Sequence, residues 1–121
     1  MSMGCKDVLL IDDDEAVLES IGEILEYRGF TPIFAKEGAA ALKILETGPE
    51  LPCLIILDMM MPGMNGWQFL EKQSAEEKYS KIPVIICSAF RETARSVRGA
   101  PILDKPVELG ALMQAVHAFC A

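Results

Sequence analysis

The sequence predicts one doubly wound α/β domain, a parallel sheet with helices on both faces, from three observations. Four short aliphatic runs, Val8-Leu9-Leu10-Ile11, Leu54-Ile55-Ile56-Leu57, Val84-Ile85-Ile86-Cys87 and Ile102-Leu103, are bounded by polar and turn residues. They lack the alternation of a half-exposed strand and read as strands buried on both faces of a parallel sheet. Segments of helical period separate them, which is the pattern of right-handed strand-helix-strand crossovers. At 121 residues and 51% apolar side chains, the chain has room for one layered core.

The first strand covers residues 8–11. Asp14-Glu15 then cap a helix in which Val17, Ile21, Ile24 and Leu25 recur at helical spacing until Arg28-Gly29 stops it. A second strand spans Thr31 to Ala35, and a second helix runs from Glu37 to Leu45 with Ala41, Leu42 and Leu45 inward, ended by Thr47-Gly48-Pro49. After the strand at 54–57, a third helix covers Asn65 to Glu77, with Trp67, Leu70 and Gln73 or Ser74 along its inner edge. The strand at 84–87 is followed by a crossover of only twelve residues, 89–100, near the minimum for a parallel connection. It has room for a shortened fourth helix of about two turns at ~3.6 residues per turn. The fifth strand covers Pro101 to Asp104, and the last helix runs from Val107 to about Phe119 with Leu109, Leu112, Met113 and Val116 on one face. Five strands joined this way predict the flavodoxin-like order 2-1-3-4-5.

The composition excludes several function classes. No apolar stretch approaches the ~20 residues needed to cross a bilayer, and the run at Val8 to Ile11 is too short for a secretory signal. A cytoplasmic protein without membrane association is expected. Cys5, Cys53, Cys87 and Cys120 form no CxxC or CxxH pair, so metal-ligand spacing is absent, and Cys53 and Cys87 are expected to act as small free hydrophobes. A net charge of −7 argues against direct DNA binding, which needs a basic footprint.

In parallel sheets ligands bind beyond the carboxyl ends of the strands, so the polar residue after each aliphatic run is a candidate site residue. Asp12, Asp13 and Asp58 bring three carboxylates to the ends of strands that neighbour one another in the expected order. Like charges held that close call for a cation among them, and oxygen donors with open positions suit Mg²⁺. Asp58 runs into the turn-rich stretch Met59 to Gly66, which leaves its carboxylate facing the crevice as a nucleophile requires. Lys105 supplies a mobile positive charge and Ser88 a hydroxyl donor, both suited to phosphoryl oxygens. The Lys105-Pro106 bond is of the kind that can be cis, which would aim the lysine inward.

On these residues the chain resembles the receiver domain of two-component response regulators, over essentially all of residues 7–119. The matching motifs are Leu10-Ile11-Asp12-Asp13-Asp14, Ile56-Leu57-Asp58-Met59-Met60-Met61-Pro62-Gly63-Met64-Asn65-Gly66, Ile86-Cys87-Ser88-Ala89 and Asp104-Lys105-Pro106, the second being the most specific. The resemblance implies that Asp58 is the phosphoacceptor and that Asp12 and Asp13 position Mg²⁺, with the main-chain carbonyl of Met60 as a further ligand. It makes Ser88 the hydroxyl switch residue and Lys105 the lysine of the family's pattern. The implied reaction moves a phosphoryl group to Asp58 from a sensor histidine kinase or a histidine phosphotransfer protein, followed by slow self-catalysed hydrolysis. The output is a changed surface offered to a downstream protein target. No other enzymatic activity is implied, residues 1–121 are expected to be a single receiver domain with no output domain, and a monomer or weak homodimer is expected.

The chain also departs from the family. Ile102 occupies the position where receivers usually carry a Tyr or Phe that swings inward, and a branched aliphatic cannot rotate between exposed and buried ring states. The short 89–100 crossover alters a face through which the family commonly signals, and Arg91, Arg95 and Arg98 make that segment basic on an acidic chain, as a solvated face or a dock for an acidic partner. Met60 and Phe90 flank the path of hydrolytic water in this family; being apolar, they lead us to expect a long-lived phosphorylated state. His117 and Trp67 are read as structural or surface residues. Two other readings are open at this point. A haloacid dehalogenase-like phosphatase also uses a strand-ending Asp, Ser or Thr, Lys and Mg²⁺, although Ala16 stands where a Thr or Val is expected. A receiver-like interaction module working without phosphorylation is the other.

Overall fold

The computed structural model describes residues 6–88, 100–105 and 107–120. The expected helix of the short crossover, with Phe90, Arg91, Arg95 and Arg98, lies outside these residues, as do Pro106 and Cys5. The elements are β1 (Asp7–Ile11), α1 (Glu15–Tyr27), β2 (Thr31–Ala35), α2 (Gly38–Thr47), β3 (Leu54–Asp58), α3 (Gly66–Ala75), β4 (Val84–Ser88), β5 (Ile102–Asp104) and α4 (Leu109–Cys120). All strand pairs are parallel and the order is β2-β1-β3-β4-β5, as the alternation of elements predicts. No helix among the described residues is long and apolar enough to cross a membrane.

Side chains alternate across a strand, so each aliphatic run feeds two cores. Leu9, Ile11, Ile55, Leu57, Val84 and Ile86 face α2 and α3, where they meet Ala41, Leu45, Phe69 and Leu70. Val8, Leu10, Leu54, Ile56, Ile85 and Cys87 face α1 and α4, against Leu18, Ile21, Leu25, Leu112, Met113 and Val116. The unbroken apolar character of the runs is thus the mark of a sheet covered on both faces.

Local chemistry sets the helix ends. The Asp14 side chain accepts from Ala16 N at 3.0 Å and starts α1. At the other end Phe30 N donates to Leu25 O and Gly29 N to Glu26 O, with Gly29 at φ 93°, which is the Schellman arrangement. Asn65 and Gln68 close a reciprocal capping box at α3, both bonds 2.9 Å. The last helix begins at Leu109 instead of Val107, because Glu108 accepts from Gly110 N and Ala111 N and so acts as its cap.

Two expectations are corrected. The inner edge of α3 is Phe69, Leu70 and Gln73, whereas Ser74 is exposed and Trp67 half-buried. Gln73 is buried because its Nε2 donates to the carbonyls of Tyr79 and Ile82, at 3.0 and 3.2 Å, holding the turn before β4 against the helix. Cys53 is disulfide-bonded and so is not the free thiol expected; Cys87 is free and buried.

Candidate functional site

The site stands on the carboxyl ends of the strands. Ile11 pairs with Leu57 across β1 and β3, so Asp12 and Asp58 leave the sheet side by side. Asp12 N donates to Ala35 O at 3.1 Å, which carries the ladder with β2 one residue past β1. On the other flank Asp58 lies opposite Cys87 and Ser88 opposite Asp104. Lys105 N donates to Ser88 O at 3.0 Å, anchoring the lysine backbone to β4. Four strands thereby converge on one crevice.

Side-chain contacts complete it. Asp12 and Asp58 are only 5% and 4% exposed. Lys105 Nζ reaches from the edge strand to Asp12 Oδ2 at 2.9 Å and Asp58 Oδ1 at 3.2 Å. Asp12 Oδ1 accepts from Asp14 N at 2.9 Å, and Asp58 Oδ1 from Met60 N at a long 3.4 Å. Asp13 is exposed, yet carboxylate oxygens of Asp12, Asp13 and Asp58 all lie within 4.8 Å of one another. Ser88, at the end of β4, is buried.

The electrostatics follow from three carboxylates facing one ammonium. Burial first, and the Asp12 charge second, raise the Asp58 carboxyl above its ordinary value, outweighing Lys105 and the Met60 N–H. For Lys105 burial is the largest influence and pulls downward, but hydrogen bonds to and the charges of Asp12 and Asp58 together leave it above its ordinary value. Among the described residues the cluster therefore carries more carboxylates than its one ammonium, Lys105, can neutralise. Its donors are hard oxygens with one exposed member, which fits a cation such as Mg²⁺ that keeps waters and open positions. The neighbouring Cys87 is no ligand, since burial pushes its thiol up to about 12 and only a thiolate coordinates.

Asp12, Asp13, Asp58 and Lys105 are brought together, and Ser88 ends the strand between Asp58 and Lys105. Sequence reasoning passed over the amide of Asp14, which orients Asp12, and Cys87, which lines a small internal cavity with Asp12 and Asp58. An Asp two residues before a helix cap was the available signal for the first, because such side chains accept from the amide two residues on. Nothing local marks the second.

The profile of the response regulator receiver domain matches residues 8–117. The chain belongs to this family. Among curated relatives it is 34% identical over 92 residues to the phosphate regulon transcriptional regulatory protein PhoB of Escherichia coli, covering 76% of this chain and 39% of that one. The chain thus spans about two fifths of the length of PhoB. It is 27% identical over 119 residues to Protein PilH of Pseudomonas aeruginosa, covering 94% and 97% of the two chains. Among solved structures, the receiver domain of the Francisella response regulator 1452 superposes with a TM-score of 0.82 at 28% identity, over 95% and 96% of the chains. The Vibrio cholerae chemotaxis protein CheY4 has a TM-score of 0.83 at 21% identity, over 96% and 99%, a likeness of fold. The protein is a receiver domain of the two-component response regulators, a signalling domain for which phosphoacceptor function is expected.

Proposed function

We infer that Asp58 accepts the phosphoryl group in this receiver domain, acting as one unit over residues 7–119. The observation that carries this reading is the position of Asp58. It ends the central, fully buried strand, its carboxylate is bonded to Lys105, and it lies within a three-carboxylate cluster. A carboxylate oxygen attacks phosphorus in line as the bond to the donor histidine nitrogen breaks, the donor being a histidine kinase or a histidine phosphotransfer protein. Asp12, Asp13, Asp58 and the main-chain carbonyl of Met60 would hold Mg²⁺, which supplies neutralisation of the phosphoryl oxygens. Lys105, already at both carboxylates, follows the charge from Asp58 onto a phosphoryl oxygen, and the Ser88 hydroxyl donates to another.

The raised Asp58 carboxyl has a mechanistic meaning. In the free domain the site disfavours the anion, so a cation beside it both ionises the nucleophile and admits the incoming phosphoryl charge. Activation then consists of relocating one lysine and one hydroxyl. A receiver domain, and not a haloacid dehalogenase-like phosphatase, is what the family match over residues 8–117 supports.

The test is intact-protein mass after incubation with acetyl phosphate, with and without Mg²⁺, beside Asp58→Asn. The expected result is one added phosphoryl group that requires both Asp58 and Mg²⁺. No gain in folded protein would support the second reading, a module that binds its partner without phosphorylation, which Ile102 favours. That residue is half-buried against the core on the α2 and α3 side and offers no aromatic ring to swing.

A further inference from the structure

Methionine is dense beside the site: Met59, Met60, Met61 and Met64 all fall within six residues of Asp58. Their sulfurs are not equally placed. Met59 is fully buried, and its Sδ packs so closely on Gly66 that a Cβ there would clash with it. Met61 is buried in the core with α2 and α3, Met64 packs its Sδ over Gly38, and Met113 is buried on the inner face of α4. Among the described methionines, Met60 is the exposed one, at 50%. It is also the one whose amide is bonded to Asp58 Oδ1.

We propose that Met60 is an oxidation site that controls the lifetime of the phosphorylated state, its sulfoxide shortening that lifetime. A peroxide is the oxidant. Its O–O bond breaks as one oxygen is transferred to the sulfur lone pair, so sulfur is oxidised by two electrons while the peroxide is reduced and leaves as water or an alcohol. Accessibility decides which thioether reacts, and the other described methionines, Met59, Met61, Met64 and Met113, are packed. The consequence follows from what surrounds Asp58. Its carboxylate is almost fully buried, and the residue joined to it by a hydrogen bond at the open edge is an apolar thioether. A sulfoxide turns that flexible apolar group into a polar one with a strong acceptor oxygen. It gathers and orients water next to the acyl phosphate, and hydrolysis quickens. The proposal rests on Asp58 being the phosphoacceptor. It makes the domain a junction of two signals, with phosphorylation setting the state and peroxide setting how long it lasts.

The experiment uses the full chain, one portion pretreated with dilute hydrogen peroxide, both charged with acetyl phosphate and Mg²⁺ and then desalted. Peptide mass mapping locates the sulfoxide, and intact mass follows the decay of the phosphoprotein. Expected are sulfoxide at Met60 ahead of Met59, Met61, Met64 and Met113, decay several-fold faster than in untreated protein, and recovery of the slow decay after methionine sulfoxide reductase. In Met60→Leu the decay should be the same with and without peroxide, whatever its own value, and Met60→Gln should decay faster than Met60→Leu. First oxidation at Met59, Met61, Met64 or Met113, equal decay of oxidised and untreated protein, or a peroxide effect that persists in Met60→Leu would overturn the proposal. An untreated protein that gains no phosphoryl group would overturn the phosphoacceptor reading instead, while the peptide map still reports whether Met60 is the oxidised residue.

Discussion

β3 and β5 each deliver one charged residue to the same crevice, yet they are built differently. β3 is five residues long, buried at every position and paired on both sides, and it ends in Asp58. β5 has three residues, two half-buried and one exposed, and pairs with β4 alone before reaching Lys105. The anion is therefore fixed on the best-supported strand and its cation on the least supported one. Segments that move in switching are drawn from the low-stability end of a structure. In the proposed phosphoacceptor role of Asp58, the β5 side would have the freedom to respond to the arriving charge, while Asp58 stays where the core holds it.

Truncating a core side chain in each strand tests this most severely. Leu57→Ala empties a fully buried site between β3 and α2 and should cost about 2–5 kcal/mol in urea unfolding. Ile102→Ala, at a half-buried edge position, should cost less, about 1 kcal/mol. Hydrogen exchange should agree, with the amides of Ile55 and Leu57 exchanging only on global unfolding and those of Ile102 and Leu103 well before it. Equal losses in the two variants, or equal protection, would end the contrast.

Removing the cation is the next largest perturbation. Lys105→Met leaves Asp12 and Asp58 buried without their shared partner, at a cost of about 1–3 kcal/mol near neutral pH. Added Mg²⁺ should stabilise the variant more than the wild type, because the ion then compensates carboxylates that nothing else does. Lys105 titrates above its ordinary value of 10.5. Its contribution is thus complete below that pH and disappears as the pH climbs through the raised value, so the two proteins should converge in strong alkali. A smaller effect is expected away from the crevice: Asn65→Ala removes half of the α3 capping box and should cost about 1 kcal/mol without altering Mg²⁺ binding.

The two strands also differ in how readily the sequence announces them. The run 54–57 followed by Asp58 is legible because a doubly covered strand must be continuously apolar, and a turn-rich stretch follows at once. Sheet order follows from the alternation of elements, and the cluster from the rule that sites lie beyond strand ends. What escaped depends on partners distant in sequence or on competing caps. The sequence leaves Gln73 and Ser74 as alternatives for the inner edge of α3, and the choice is made by two distant carbonyls, at Tyr79 and Ile82, which take the Gln73 amide. Phe69 follows it inward, since both lie on the face this clamp draws to the sheet. Val107 is apolar but lies outside the last helix because Glu108 takes the capping role. Cys53 looks like a small hydrophobe at the mouth of β3 and is disulfide-bonded, a pairing that no spacing in the sequence announces.

The smallest effect has the opposite sign and is the most pointed. Burial and Asp12 raise the Asp58 carboxyl above its ordinary value of 3.8, so the fold binds that proton more tightly than the unfolded chain does. Below 3.8 the group is protonated in both states and its share of stability is intact. That share is lost as the pH rises through the raised value, where the fold must carry an unwelcome anion. Asp58→Asn escapes this loss. It should be more stable than the wild type near neutral pH without Mg²⁺, by an amount on the order of 1 kcal/mol or a few degrees in Tm. The advantage should shrink toward zero as the pH falls to about the ordinary carboxylate value, and thermal melts from acid to neutral pH measure it directly. Mg²⁺ should narrow it from the other side by stabilising the wild type alone. An Asn variant that is less stable at every pH would mean that the bond from Lys105 outweighs the desolvation of Asp58. The site would then be held together by its charges, and not strained in readiness for one more.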